Sequence, residues 1–169
     1  MNITTIIGNI DQINIGIRSI ETISIEWYEC NKRILNKKTS NNTEITLRFL
    51  QQHAPLLEGD ILFMDQNTVI TVNILPCEVI EITPLNMQEM AAVCYEIGNK
   101  HLPLFIEEDQ LLIPFDAPLF KLLQKNKYTV NKTIRKLIHP LSTTVQPHNE
   151  PADRKSLFSM IMKMTNTNE

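Results

Sequence analysis

"NMQEMAAVCYEIGNKHLPLFIEEDQLLIPF", residues 86–115, decides how this chain is organised, because its apolar period changes partway along. In the first half Met87, Met90, Ala91, Cys94 and Ile97 fall on one face of a helix. Asn86 with Glu89 three residues on resembles a capping box, and Thr83-Pro84 just ahead offers a second acceptable start. Gly98 and Asn99 then predict a left-handed stop. Past the stop, "LPLFI" and "LLIPF" are short apolar runs separated by the acidic turn "EEDQ", which reads as two strands. Between helix and strands stands His101, whose point of emergence the stop fixes.

Working outward, "LPCEVIEIT" predicts a strand near 77–83, and Asp116 opens a second helix that packs Leu119, Phe120, Leu122 and Leu123. "YTVNKTI" closes the series as a strand. The order β-α-β-β-α-β is the ferredoxin-like split arrangement. Upstream the period is two: "TISIEWYE" alternates Ile23, Ile25 and Trp27 against Ser24 and Glu26, and "ITLRFL" repeats the pattern. "ILFM", Asp65-Gln66-Asn67 and "VITVNI" read as a hairpin. Residues 31–42, "NKRILNKKTSNN", read as a polar, basic and mobile connection, and no helical period precedes residue 84. The last stretch, from "HPLSTTVQPHNEP", has little period, though "SLFSMIMKM" has the composition of a short amphipathic turn. The expected fold is therefore α+β: an all-β domain over 1–75, a ferredoxin-like domain over 76–138 and a flexible C-terminal tail over 139–169.

The chain has 169 residues, 43% of them hydrophobic, enough to bury a real core. Its net charge of −3 gives no global positive field toward nucleic acid or anionic lipid. The start "MNITTIIGNIDQ" lacks the pattern of a signal peptide, and no apolar run approaches the roughly 18 residues that span a bilayer. A cytoplasmic protein without membrane or nucleic-acid partners is expected. Cys30, Cys77 and Cys94 are odd in number and widely spaced, which argues against a disulfide framework or thiolate zinc site and for reduced, mostly buried thiols.

Enzymatic chemistry finds no support. There is no G-x-S-x-G elbow, and four glycines in the whole chain (Gly8, Gly16, Gly59, Gly98) build no phosphate-cradling loop. Glu107-Glu108 reads as a solvated hairpin turn, and the candidate sheet offers one aromatic, Phe105, too few for an RNA-stacking surface. The expectation is a protein that is not an enzyme. Of four histidines, His53 and His139 read as loop residues, and His148 lies on the tail. His101 differs because a helix end fixes its position.

Here a resemblance enters. "YEIGNKH" (95–101) resembles the Gly-Asn-Arg-His segment of the urease accessory protein UreE family, which are nickel metallochaperones. "LLEGDILF" (56–63) resembles the Gly-Asp strand opening of that family's N-terminal domain, "VNILPCEVIEI" (72–82) its domain junction, and "HLPLFIEEDQLLIPFD" (101–116) the hairpin after the histidine. The likeness is good over roughly residues 44–126, and the set in this order is specific. Lys100 stands where the family more often has Arg, keeping the charge but losing the planar fork. The histidine-rich tail of many members is missing; Pro147-His148-Asn149-Glu150-Pro151 is similar to the short-tailed members.

The resemblance implies delivery of Ni²⁺ for assembly of the urease active site, by way of the accessory GTPase UreG and thence apo-urease. It implies a homodimer with His101 of each chain at the two-fold axis, His148 completing the shell, and association into a dimer of dimers around a shared ion as a further state. Imidazole suits Ni²⁺ and Zn²⁺ alike, so Zn²⁺ is expected to compete. Ligation needs neutral imidazole, so affinity is expected to fall as pH drops through about 6.5. The basic run Lys32, Arg33, Lys37 and Lys38 is a candidate docking loop, its plain alternative a solvated one. The β-domain of the family also resembles peptide-binding domains of co-chaperones. Two alternatives stand beside this reading: a metal-independent interaction and assembly factor, in which His101 merely packs at a dimer contact, and a zinc-delivery protein.

Overall fold

The structure, a computed structural model, describes residues 1–49, 54–138 and 140–141. The N-terminal part holds β1 (Asn2–Ile3), β2 (Gly8–Asn9), β3 (Ser19–Ile25), β4 (Ile34–Lys38), β5 (Glu44–Arg48), β6 (Asp60–Met64) and β7 (Thr68–Ile74). They form a three-stranded sheet in the order β1-β5-β4 and a four-stranded sheet in the order β2-β6-β7-β3. The period-two alternation does what it predicts: Ile23 and Ile25 of β3 are fully buried against Val72 and Ile74 of β7, while Ser24 between them faces out. The β6–β7 hairpin closes on Asp65, whose carboxylate accepts from the amides of Asn67 and Thr68 at 2.8 and 2.7 Å. Those two bonds hold it below the usual carboxylate range.

Two expectations about this part change. Trp27 is not in a strand: β3 ends at Ile25 and Trp27–Glu29 form a single 3₁₀ turn. Glu29 reaches back to the amide of Glu26 and fixes the turn. Nor is 31–42 a loose connection, since β4 occupies its middle and pairs with β5. Three of its four cations are paired: Lys32 and Lys37 meet Glu29, and Lys38 meets Glu44.

The C-terminal part runs β8 (Cys77–Ile82), α1 (Met87–Asn99), β9 (Phe105–Glu107), β10 (Gln110–Pro114), α2 (Ala117–Lys125) and β11 (Val130–Arg135). Its sheet has the order β11-β8-β10-β9, every pair antiparallel. This is the ferredoxin-like βαββαβ topology, and with the sheets before it the chain is α+β. Ile80, Ile82, Leu111 and Ile113 on one face meet Val93 and Ile97 of α1 and Leu119 and Leu123 of α2. Each such burial contributes about 1.5–3 kcal/mol. On the opposite face Val79, Phe105 and Leu112 gather around Leu137 and meet Trp27, whose ring stands edge-on to Phe105 at 6.0 Å. The 3₁₀ turn thus lays one half of the chain on the open face of the other.

The expected tail, 139–169, lies outside the described residues except for Pro140 and Leu141. Those two are not free: Pro140 bridges Phe105, and the Leu141 amide donates to the Leu104 carbonyl at 2.7 Å.

Candidate metal centre

Asn86 caps α1 by accepting from the Glu89 amide at 2.9 Å, and Glu89 in return accepts from the Leu85 amide. Of the two sequence-based starts, the Asn86 one is used. The buried face is Met90, Val93, Cys94 and Ile97. Met87 and Ala91 do not belong to it: both are exposed, Met87 at 82%, and with Tyr95 and Gly98 they line the outer face at helical spacing.

The end of α1 also differs from expectation. Gly98 and Asn99 lie inside the helix, Lys100 is the right-handed cap, and the left-handed residue is His101, at φ 54°. The His101 amide donates to the Gly98 carbonyl at 3.0 Å and the Leu102 amide to the Ile97 carbonyl at 3.5 Å. Those two bonds make a Schellman closure, and Leu102 packs on the core beside Ile97 as that motif requires. The closure turns the chain back on Leu102 and leaves His101 outside, exposed to solvent. A histidine tolerates this conformation better than most residues, though a glycine would hold it without strain.

Gly98 is then not a stop. A Cβ placed on it meets nothing within 4 Å among the described residues, so no internal crowding calls for glycine there. In an exposed helical position glycine costs about 1 kcal/mol against alanine. With Ala91 it keeps the outer face shallow next to Met87 and Tyr95, and that face leads to His101.

The thiols offer no competing site. Burial pushes Cys30 up to about 11 and raises Cys77 and Cys94 as well, away from the thiolate form a metal needs. Among the described residues no group of three or more His, Cys, Asp or Glu side chains could hold an ion. His101 is the one described histidine; His53, His139 and His148 lie outside the described residues. Within one chain, His101 is thus brought together with no second described imidazole. Elsewhere, Arg135 borders a depression of about 400 Å³, but its guanidinium is already met by Glu81 and Glu107. No helix of the described residues is long and apolar enough to cross a membrane.

Fold and site together define a two-part α+β protein whose distinctive exposed group is one imidazole at a helix end. The family profile described as "UreE urease accessory protein, N-terminal domain" matches residues 3–75, and its C-terminal counterpart matches 77–154. The chain is 40% identical over 164 residues to the urease accessory protein UreE of Flavobacterium johnsoniae, covering 97% of this chain and 99% of the relative. It is 37% identical over 172 residues to that of Helicobacter pylori, covering 96% and 100%. With that of Acetivibrio thermocellus it shares 40% over 141 residues, covering 83% and 92%. The chain belongs to the UreE family of urease accessory proteins.

Proposed function

We propose that the protein is a homodimeric carrier of Ni²⁺ for urease assembly, with no catalytic activity of its own, in which His101 of each chain and His148 of the tail hold the metal. The observation that carries this reading is the placement of His101: exposed, turned outward by the Schellman closure, at the end of an outer face made of Met87, Ala91, Tyr95 and Gly98. An apolar, shallow helix face ending in an imidazole suits a two-fold contact, because one residue type then supplies two ligands. His148 joins by reach. Leu141 sits beside Leu104, and the seven residues from there to His148 span up to roughly 24 Å when extended.

In this reading residues 76–138 dimerise and bind metal, 1–75 engage protein partners, and 139–169 serve as a ligand-bearing tail. The carrier works in the cytoplasm and passes Ni²⁺ to the accessory GTPase UreG and so to apo-urease. A dimer of dimers around a shared ion is a further loaded state. A site of few fixed imidazoles releases its cargo more readily than a closed four-ligand structural site, which is what delivery requires. Nothing in the ligand types rejects Zn²⁺, so zinc competes for the same place.

Calorimetric titration with nickel chloride of the full chain and of His101→Gly tests the reading. Glycine accepts the backbone conformation at 101, so the variant loses the imidazole and keeps the fold. Saturable binding near one ion per dimer in the parent, lost in the variant, is expected. Equal binding by both, or none by either, sinks the carrier and leaves a metal-independent assembly factor.

A further inference from the structure

Strand alternation gives the β1-β5-β4 sheet one inner and one outer face. Leu35, Ile45 and Leu47 turn inward and are buried in the N-terminal core. That sends Ile34, Asn36 and Lys38 of β4 outward, opposite Arg48, Thr46 and Glu44 of β5 in that order. Thr46 donates to Asn36 at 2.8 Å, and Lys38 meets Glu44 at 3.4 Å. Both members of the ion pair are largely exposed, so water screens it and it opens at little cost. Neither the core nor a bond accounts for the third pair. Ile34 is 57% exposed, and the exposed Arg48 opposite meets no carboxylate among the described residues.

Charge is spread unevenly around this face. Of the six Lys and Arg among residues 1–75, five fall between Lys32 and Arg48, where Glu44 is the only acid. The chain as a whole carries −3. A positive ribbon on a negative protein steers toward itself a partner whose surface is acidic. A two-fold contact through the ribbon would set like charge on like, which disfavours a second copy seated there. Nucleic acid is the poorer match as well: the face has no aromatic for a base to stack on, and Glu44 repels phosphate.

We propose that this outer face, centred on Ile34 and Arg48, docks an acidic protein surface. The inference rests on the reading of residues 1–75 as the half that engages protein partners, and gives that role a location and a chemistry. Interfaces favour Arg over Lys at their centre, and here Lys32, Lys37 and Lys38 are paired while Arg48 is open. Its guanidinium offers a carboxylate two parallel donors, and Ile34 supplies apolar contact beside it. Next to them Asn36, Lys38, Glu44 and Thr46 border a depression of about 440 Å³. The central cation thus lies outside the basic run of residues 31–42.

Calorimetric titration of the full-length chain with purified UreG tests the proposal, with melting temperatures confirming that each variant is folded. Arg48→Glu is expected to weaken binding about tenfold and Ile34→Ala about threefold, with Arg48→Lys falling between parent and Arg48→Glu. Lys125→Glu makes the same charge change on the exposed face of α2 and is expected to leave binding unaltered. An equal loss in Lys125→Glu would report net charge alone and overturn the proposal. Undiminished binding by Arg48→Glu would overturn it too, while leaving a protein partner docked elsewhere on the chain. No binding by the parent would remove the reading beneath it as well. A short single-stranded DNA that binds the parent and not Arg48→Glu would make the face a nucleic-acid surface. A fall in the chain's own sedimenting mass in Arg48→Glu would assign the face to a second copy. Either of these last results overturns the proposal.

Discussion

The two helices of the ferredoxin-like half begin and end in the same way and differ in what they show the solvent. Asn86 caps α1 and Asp116 caps α2, each accepting the amide of the residue three places on. α1 closes with His101 donating to Gly98 and Leu102 to Ile97; α2 closes with Lys127 donating to Gln124 and Tyr128 to Leu123. His101 and Lys127 have φ of 54° and 63°. The left-handed histidine is thus a product of helix closure in this fold, shared with a lysine that has no claim on a metal. What sets α1 apart lies on its outer face. Where α2 exposes Lys121, Gln124 and Lys125, α1 exposes Met87, Ala91, Tyr95 and Gly98. Gly98 occupies the same place in its closure as Gln124 does in the other. Function is read from the exposed face, and the backbone strain by itself says little.

The largest effects belong to the shared part. Ile97 and Leu123 stand at matching positions, 1% and 0% exposed, so alanine at either is expected to cost about 2–5 kcal/mol in urea denaturation. Similar costs support equivalent closures; a cost under about 1 kcal/mol at Ile97 would mean that the end of α1 does not sit on the core as described. Next comes the exposed difference. Gly98→Gln places the α2 residue in α1, and no described residue comes within 4 Å of a Cβ built there. The helix itself should gain somewhat under 1 kcal/mol. In the proposed homodimer, sedimentation at micromolar concentration should show the mass fall from dimer toward monomer. A dimer that survives Gly98→Gln places the two-fold contact elsewhere than on this face.

Much of this was legible in the sequence, for identifiable reasons. The βαββαβ order follows from a period that switches between two and 3.6, punctuated by Asn86 and Asp116, and both cues are local. Gly98 misled because a glycine near the end of a periodic run ordinarily marks the closure, and here it stands in the last turn with His101 three residues beyond it at the left-handed position. Met87 and Ala91 misled because apolar residues at helical spacing fit a second, exposed stripe as readily as a core. Trp27 continued an alternation that the Glu29 side chain ends by capping the turn. The segment after β11 carried almost no local signal: Leu137 and Ile138 are ordinary apolar residues, and Lys136 finds its partners Glu58 and Asn73 far away in sequence. His101 stood out through its helix-end position and the resemblance around it, not through clustered ligands.

The smallest expected effect divides the two closures most finely. Glycine adopts a left-handed conformation without the steric cost a side chain pays, and it is the preferred residue at this position of the motif. His101→Gly and Lys127→Gly should therefore each stabilise the metal-free chain by about 0.5 kcal/mol, less than the full steric cost because glycine also loses more entropy on folding. In a chain of this size that is a rise of about 1–2 °C in melting temperature. If backbone strain were the whole story, the two variants would behave alike under every condition. With nickel chloride added they should part: Lys127→Gly keeps the stabilisation that bound metal gives the folded state, and His101→Gly loses it. A His101→Gly chain that melts below the parent without metal, while Lys127→Gly melts above, would show that the imidazole already makes a contact in the empty protein. The proposed two-fold face is where that contact would have to be sought.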